Sequence, residues 1–369
     1  MAAMDESEYL QVDIDSVDLN DPDVVAKLNF NVETLLMRCP YELARQGRRH
    51  PIKENTPVIN MIKNSKTIKH MHLVGDIFRD DECLGDILRS NPMIATLEMY
   101  HRSINIDRLV MLLAESFLTH LRLNNAKFFD SHPLAHLIRQ SKTLQHLYVY
   151  MQRKFMLCEN IESITDALAG NINLIYFHFS YTGPIDLGLF ANVLDCNSTL
   201  TRLDLDSVDF QGVEQFATAL TTNKTLRYLR LVANENGSDM SPIITAAFRG
   251  NSLIKLKLVQ CGIKTINCPE DVTHNMTLRK LELSSNQIEC VRDFMMALRQ
   301  NAGLRTVRLG ANPFGYIKCI DEMLDHNTTI TDMGYLGGCV INNESVDIIH
   351  SIEEKLERNR TQLELEISE

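Results

Sequence analysis

Apolar residues recur along the chain in the spacing L-x-x-L-x-L, and each copy follows a short polar break. Two clear copies are Leu278-Leu281-Leu283 and Leu304-Val307-Leu309. The eleven copies begin at Ile68, Ile94, Leu118, Leu144, Leu174, Leu200, Leu226, Leu253, Leu278, Leu304 and Ile330. Six of the ten gaps between these positions are 26 residues long, and the others range from 24 to 30. A regular period of this length predicts a stack of repeated structural units.

Each copy predicts one strand followed by one helix. The last two apolar positions of the triplet alternate with polar ones, as in a strand with one buried face. The remainder of each unit places apolar residues three and four apart, which is typical of a helix with one buried stripe. Examples are the sets Leu134-Leu137-Ile138 and Phe294-Ala297-Leu298.

Asparagine occupies two fixed places in many copies. Asn286 and Asn312 follow the strand by three residues, where the amide is expected to bond to backbone groups inside the loop. The second set precedes the next copy by three residues and is predicted to form left-handed helix ends. Its members are Asn91, Asn171, Asn197, Asn223, Asn275, Asn301 and Asn327.

A unit of this period, with a strand and a helix, is typical of leucine-rich repeats. The pattern predicts an α/β leucine-rich repeat solenoid (horseshoe) of about eleven repeats, with a parallel sheet on its concave face and helices on its convex face. It resembles the ribonuclease-inhibitor-like subclass, which includes ribonuclease inhibitor, the Ran GTPase-activating protein and the C-terminal domain of tropomodulins. The resemblance covers residues 55–340.

The two ends are predicted to differ from the repeats. Residues 1–24 carry many acidic and no basic side chains, which indicates a disordered tail, although Asp21-Pro22 can start a short helix. Residues 25–54 are expected to form a helical N-terminal cap, with a helix around Leu35, Leu36 and Leu43. Residues 341–369 are expected to close the stack with a helix to Arg360 and then a strand.

One short segment has a narrower resemblance. Residues 326–335 read His-Asn-Thr-Thr-Ile-Thr-Asp-Met-Gly-Tyr, which is similar to the segment that closes the repeat domain of tropomodulin and leiomodin. This resemblance implies an alternative function as a regulator of the actin cytoskeleton. The Ran activator, by analogy, supplies a second alternative, regulation of a small GTPase.

Composition narrows the function classes. The net charge of −11 argues against a general nucleic-acid binder. No apolar run reaches the length of a membrane span, and the N-terminus lacks the features of a secretory signal. The nine cysteines show no metal-like or disulfide-like spacing, which predicts free thiols in a reducing compartment. We therefore expect a cytoplasmic location, with association with the cytoskeleton as a further possibility.

Motifs for catalysis are absent from the sequence. It contains no phosphate-binding loop, no dinucleotide-binding glycine pattern and no C-x-x-C pair. Pairs of histidines on the predicted strands lack the carboxylate or thiolate ligands that a metal site requires. We therefore predict no catalytic residue, no cofactor and no metal, and a protein that is not an enzyme.

The polar strand positions predict a binding surface on the concave face. Three such positions in each of ten repeats hold five of the ten tyrosines and five of the twelve histidines. Tyrosine is frequent at binding hot spots because it combines contact area with a hydrogen-bonding tip. The aromatic candidates for partner binding are Tyr100, His120, His146, Tyr148, Tyr150, Tyr176, His178 and Tyr228, with His70 and His72 on an earlier strand.

The second half of the chain presents charge at the same positions. Asp204, Asp206 and Glu282 are expected to face inward there with basic residues that outnumber them. A positive stripe on an acidic protein indicates an acidic partner segment. The basic candidates are Arg202, Arg230, Lys255, Lys257 and Arg308, and Lys280 shares their pattern. Together these surfaces predict a non-catalytic scaffold or adaptor, monomeric on its own, that binds another protein.

Overall fold

The computed structural model describes most of the chain. The described residues are 9–13, 19–28, 31–39, 52, 56–75, 77–78, 81–100, 107–126, 130–151, 160–233, 239–267, 269–336 and 343–368. The chain divides into two compact units, Met1–Thr182 (unit 1) and Gly183–Glu369 (unit 2). Each unit alternates strands and helices, as the repeat pattern predicts.

Unit 1 contains seven parallel strands that pair in chain order among its described residues. The strands are β1 (Tyr9–Asp13), β2 (Thr34–Arg38), β3 (His70–Val74), β4 (Thr96–Tyr100), β5 (His120–Ala126), β6 (His146–Met151) and β7 (Tyr176–Ser180). The helices are α1 (Pro22–Val25), α2 (Pro57–Asn64), α3 (Asp81–Ser90), α4 (Asp107–Leu113), α5 (His132–Gln140) and α6 (Ile161–Ala169).

Unit 2 repeats the arrangement, with β9 and β11–β14 parallel and paired in chain order. Its strands are β8 (Ile185–Asp186), β9 (Arg202–Ser207), β10 (Phe210–Gln211), β11 (Tyr228–Ala233), β12 (Lys255–Val259), β13 (Lys280–Glu282) and β14 (Thr306–Arg308). The helices are α7 (Leu187–Cys196), α8 (Val213–Thr222), α9 (Ser241–Arg249), α10 (Pro269–His274), α11 (Arg292–Leu298), α12 (Lys318–Leu324) and α13 (Asn343–Ser368). The short strands β8 and β10 pair with each other.

The recurring apolar triplets form the core of each unit. The first apolar residue of all eleven copies is at most 3% exposed. The helix stripes, such as Leu134-Leu137-Ile138 and Phe294-Ala297-Leu298, are buried as well. The pattern of buried positions therefore agrees with the prediction. Since each repeat buries its apolar side against its neighbours, the polar strand positions are left on the opposite side of the sheet.

The asparagines at the helix ends form a ladder, and the prediction of left-handed helix ends is wrong. Asn197 and Asn223 have extended backbone, with φ of −84° and −61°. The Asn223 side chain donates to the Leu194 carbonyl of the preceding repeat at 2.7 Å and accepts from the Leu226 amide at 2.8 Å. The amide thus joins successive repeats and satisfies backbone groups that the helix leaves open.

The asparagines that follow the strands behave as predicted. Asn286 and Asn312 each donate to a carbonyl of the preceding repeat at 2.9 Å. The residue before each of them, Ser285 or Ala311, has a positive φ of 60° or 55° that makes the turn tight. The helices in these repeats, α11 and α12, have seven residues each, or about two turns.

The N-terminal segment is more ordered than predicted. Residues Tyr9–Asp13 form β1, and Thr34–Arg38 form the strand β2 instead of part of a helical cap. Four of the five β2 residues are buried, so the run lacks the alternation that identifies a strand in a sequence. The prediction for Asp21 is confirmed, because its side chain accepts from the Asp23 amide at 2.9 Å at the start of α1. Most of residues 40–55, including Leu43, lie outside the described part.

The C-terminal end is a single long helix, and the predicted closing strand is wrong. The helix α13 continues through the residues where that strand was expected, and Leu365 there is 64% exposed. Ile352 and Leu356 are buried. The fully buried Asn359 donates to the carbonyls of Asn327 and Ile330 at 3.0 and 2.8 Å. A helical residue thus takes the place of the next asparagine in the ladder, which closes the stack.

Candidate functional site

The candidate site lies on the strand face, which we define as the polar strand positions opposite the buried apolar triplets. In unit 1 the register of β3 to β7 aligns these positions into three rows that run across the strands. The first row is His70, Thr96, His120, His146 and Tyr176. The second row is His72, Glu98, Arg122, Tyr148 and His178. The third row is Val74, Tyr100, Asn124, Tyr150 and Ser180.

Aromatic stacking holds the first row together. The rings of His120 and His146 lie parallel, with centroids 4.1 Å apart and 7° between their planes. Tyr176 meets His146 edge-on, with centroids 6.0 Å apart. Burial and the nearby charge of His70 lower the pKa of His120. His120 is therefore expected to be neutral at physiological pH, which favours the stacked arrangement.

The second row is a chain of contacts across five strands. Glu98 Oε1 accepts a hydrogen bond from Arg122 at 3.2 Å, and Glu98 Oε2 lies 3.0 Å from His72 Nδ1. The Arg122 guanidinium lies 4.3 Å from the centre of the Tyr148 ring. The Tyr148 ring also stacks on the ring of His178, with centroids 3.9 Å apart. Charge and ring contacts therefore fix the direction of each side chain.

The third row adds the tyrosine that is most accessible among the described side chains of unit 1. Tyr100 is 41% exposed, and its hydroxyl donates to Glu98 Oε1 at 2.8 Å. Burial alone would raise the pKa of Glu98, but the hydrogen bonds from Tyr100 and Arg122 outweigh it and hold the pKa below its usual value. Tyr150 is half-buried in the same row.

These contacts determine what the surface offers to a partner. The rings of His120, His146 and Tyr148 use at least one face on a neighbouring ring or guanidinium. Ring edges, imidazole nitrogens and phenol tips remain for recognition by hydrogen bonds and edge contacts. Parallel imidazole planes do not direct two nitrogens at one ion, and the described residues contain no group of three metal-ligating side chains. The predicted contact residue His178 is only 4% exposed, so it supports Tyr148 and does not itself form the surface.

In unit 2 the strand face is charged, but much of its charge is neutralised locally. Ion pairs join Arg202 to Asp204 at 2.7 Å, Lys257 to Glu282 at 2.6 Å, and Arg230 to Asp206. Arg308 is also paired, so four of the five basic candidates have their charge neutralised by a carboxylate. The positive stripe that the sequence predicts is therefore reduced.

The partner of Arg308 is Asp332, at 2.7 Å, and sequence reasoning missed it. Asp332 occupies the first strand position of the eleventh copy, beyond the ten repeats whose positions were compared. A bridge between Thr306 and Asp332 extends the register to this copy. Extending the alignment by one repeat is the signal that would have found it.

The first row of unit 2 keeps its positive charge at two lysines, although Arg202 in this row is paired with Asp204. In register it consists of Arg202, Tyr228, Lys255, Lys280 and Thr306. Neither lysine forms an ion pair within the described part of the chain. Tyr228 beside them is 40% exposed. This row is the most basic part of the strand face in unit 2.

A separate cleft of about 520 Å³ lies beside the N-terminal ends of α11 and α12. The guanidinium of Arg292 lies 5.8 Å from the Tyr316 ring there. Cys290 in the cleft is exposed, as is Cys196. Burial raises the pKa of the Cys319 thiol in the same cleft to about 11, which keeps that thiol protonated at neutral pH.

Comparison with known proteins supports the fold. No family model matches the chain, and no curated protein matches it as a relative. An internalin from Listeria monocytogenes is similar in structure, with a TM-score of 0.52 and 16% identity over 82% of this chain and 75% of that one. The fold is a leucine-rich repeat solenoid. A structure of TLR13 in complex with ssRNA13 matches with a TM-score of 0.44 and 17% identity, over 81% of this chain and 38% of that one.

At such low identity the likeness to the internalin shows the fold alone. It does not test the ribonuclease-inhibitor-like subclass or the similarity to tropomodulin, which stay predictions. Among the described helices, none combines the length and apolar composition that crossing a membrane requires.

Proposed function

We propose that this chain is a non-catalytic recognition scaffold that binds a partner protein through the strand face of its repeats. The observation that carries the proposal is the set of ordered aromatic rows on β5, β6 and β7. His120, His146 and Tyr176 form one row of ring contacts, and Arg122 and Tyr148 belong to the next. Rings held in place lose little conformational entropy when a partner binds, which favours affinity.

The chemistry of these rows favours a protein partner over a nucleic acid. Single-stranded nucleic acids bind mainly by stacking bases on open aromatic faces and by positive charge. In this surface the Tyr148 ring already contacts Arg122 and His178. The protein also carries a net charge of −11. Ring edges and phenol hydroxyls, in contrast, suit the backbone and polar side chains of a protein surface.

The experiment compares partner capture by wild type and by a variant that loses three hydroxyl groups. The changes Tyr148→Phe, Tyr150→Phe and Tyr176→Phe keep the rings and their packing but remove the hydrogen-bonding tips. Tyr316→Phe, an exposed tyrosine in the cleft of unit 2, is the matched control. A partner identified by mass spectrometry is then purified, and its affinity is measured by calorimetry.

We expect at least a tenfold loss of affinity in the triple variant, since lost hydrogen bonds at a desolvated interface typically cost about 0.5–1.5 kcal/mol each. The control is expected to bind like wild type. Equal affinity in the triple variant and the control would contradict the proposal, provided that both variants unfold at the wild-type temperature.

The two alternatives give different results with purified components. A regulator of the actin cytoskeleton would change actin polymerisation, and a regulator of a small GTPase would change its rate of GTP hydrolysis. No charge or contact in the described residues favours either alternative. The cytoplasmic location, the association with the cytoskeleton and the monomeric state also stay predictions. Identification of the captured partner would separate the three functions.

A further inference from the structure

The charges of unit 2 are segregated between neighbouring rows of its strand face. The second and third rows contain the carboxylates Asp204, Asp206 and Glu282, and each accepts from an arginine or lysine. The first row contains no carboxylate among its five members on β9 and β11 to β14. We name the segment Arg202, Tyr228, Lys255 and Lys280 of this first row the basic row.

Lys255 and Lys280 are the centre of the basic row. They lie directly opposite each other on the adjacent strands β12 and β13. Adjacent parallel strands are about 4.8 Å apart, so the two side chains leave the sheet side by side. Burial and the charge of Lys280 lower the pKa of Lys255, and Glu282 opposes this only in part. The two ammonium groups therefore disfavour each other in the unbound protein.

The nearby carboxylates are already engaged elsewhere. Glu282 accepts from Lys257 at 2.6 Å, and Asp332 accepts from Arg308 at 2.7 Å. Since those partners hold the carboxylates in the second row and beyond β14, Glu282 and Asp332 neutralise the two lysines only in part. An anion supplied from outside would remove the repulsion between them and gain two charge-assisted hydrogen bonds.

We propose that the basic row binds an acidic segment of a partner protein, with one carboxylate between Lys255 and Lys280 and another residue of the segment against Tyr228. This inference rests on the proposed function and assigns the chemistry of the partner. Four strands span about 14 Å, which an extended peptide covers with four to five residues. Acidic residues at alternate positions of such a peptide would face the row on one side.

The width of the row favours a peptide over a nucleic acid. The row is one residue wide, and Asp204 and Glu282 in the adjacent second row border it. A nucleic-acid backbone, with a charge on every phosphate, would meet these carboxylates as well as the lysines. An extended acidic peptide needs only a single line of cations.

The test uses the full chain and a fluorescein-labelled peptide of alternating glutamate and serine, with a glutamine–serine peptide as the uncharged control. Binding is followed by fluorescence anisotropy at low and at physiological salt. The test variant is Lys255→Gln with Lys280→Gln. The matched control, Arg249→Gln with Arg360→Gln, removes the same charge from the helices α9 and α13, where each arginine pairs with a carboxylate.

We expect saturable binding of the glutamate peptide that weakens about tenfold or more in the lysine variant and less than about twofold in the control. Binding is also expected to weaken as salt increases. Equal weakening in both variants, equal binding of the glutamine peptide, or no binding by the wild type at low salt would each overturn the inference. A thermal melt of each variant confirms that it is folded.

The same variants in the partner-capture experiment separate this inference from the proposed function. If the triple tyrosine variant loses the partner and the lysine variant keeps it, the scaffold function stands and the acidic segment is refuted. If the lysine variant alone loses the partner, the basic row binds an acidic segment and the aromatic rows of unit 1 are not the binding surface.

Discussion

Replacement of Asn301 by alanine tests the asparagine ladder directly. Asn301 is 2% exposed and makes four hydrogen bonds to backbone groups. Its Nδ2 donates to the carbonyls of Val272 and Asn275 at 2.6 and 2.9 Å. Its Oδ1 accepts from the amides of Gly303 and Leu304 at 3.0 and 2.8 Å. One side chain therefore fixes both the turn of its own repeat and the contact with the previous one.

The expected loss of stability follows from these four bonds. Asn301→Ala leaves two amides and two carbonyls without this partner, and an unsatisfied buried group costs about 1–3 kcal/mol. Water that enters the vacated space and remaining helix bonds offset part of this cost. We expect the free energy of unfolding to fall by about 3–4 kcal/mol. Asn301→Asp keeps the two acceptor contacts but turns a carboxylate oxygen toward two carbonyls, so at neutral pH it should be at least as destabilising.

Urea denaturation followed by circular dichroism measures the effect. Because repeats can unfold in part, the slope of the transition is compared together with its midpoint. The control is Asn267→Ala, since Asn267 is exposed and its side chain makes one hydrogen bond within the described part of the chain, to Thr265 Oγ1 at 3.1 Å. Its expected loss is below about 0.5 kcal/mol. The reasoning is refuted if Asn301→Ala lies within about 1 kcal/mol of this control, or if Asn301→Asp is as stable as wild type at neutral pH.

Three further predictions concern backbone strain, thiol reactivity and pH. Ala311→Gly should stabilise the protein by about 0.5–1 kcal/mol in urea denaturation, because Ala311 has a φ of 55° that glycine adopts without strain. Cys290 should react with iodoacetamide in the native state while Cys261 does not, as read by mass spectrometry, because Cys290 is exposed and burial raises the pKa of Cys261 to about 12. Glu98→Gln should reduce the loss of stability as the pH falls below about 4.5. The pKa of Glu98 is lower in the folded state than its ordinary 4.5, so the ionised carboxylate stabilises the fold above pH 4.5, and this stabilisation is lost as the pH falls through the lower pKa of the folded state. Urea midpoints from pH 6 to pH 3 measure this, and an unchanged pH profile would contradict it.

The period of the apolar triplets was sufficient to predict the repeats, because burial of every first position follows from the repeat itself. The helix-end asparagines show that local sequence preferences alone do not determine the backbone conformation. Asparagine is common in left-handed helix ends, and it also suits a ladder that satisfies the backbone of a neighbour. The sequence contains both possibilities at Asn197 or Asn223. Only the position of the preceding repeat, with the Leu194 carbonyl 2.7 Å from Asn223, decides between them.

The two ends were harder to predict because they break the pattern that identifies the repeats. In β2, Leu35 and Leu36 are adjacent and both buried, so neither a period of two nor a period of 3.6 identifies the element. In α13, Leu363, Leu365 and Ile367 alternate as in a strand, yet the helix continues through them. At the N-terminal end, pairing with the strands on both sides outweighs the local pattern of β2.

The candidate site was predictable as a set of positions, but the availability of each side chain was not. Register follows from the copies, so the rows were implied by the alignment of the repeats. The availability of a side chain depends on its neighbours and on rotamers that the sequence does not specify. Arg230 pairs with Asp206 and is not left for a partner protein, and Tyr148 stacks on His178 and presents mainly its edge. A ring between other rings offers mainly its edge, and a cation beside a carboxylate contributes little net charge.

Because a charge depends on its neighbours, two adjacent charges of the same sign indicate a binding site more strongly than the total number of charges on the surface does. A lysine opposite a carboxylate, such as Lys257 opposite Glu282, is neutralised within the fold and gains little from a partner. A lysine opposite a lysine, as at Lys255 and Lys280, destabilises the unbound protein slightly and gains from any anion that reaches both. The same number of basic residues thus has opposite consequences in adjacent rows of one sheet. Exchange of the charges at positions 257 and 282, by Lys257→Glu with Glu282→Lys, would keep the pair but move its lysine from β12, where it is near Lys255, to β13, where it is near Lys280. We therefore expect the exchange to bind the glutamate peptide at least as tightly as wild type, and weaker binding would show that the paired row, and not the basic row, holds the peptide.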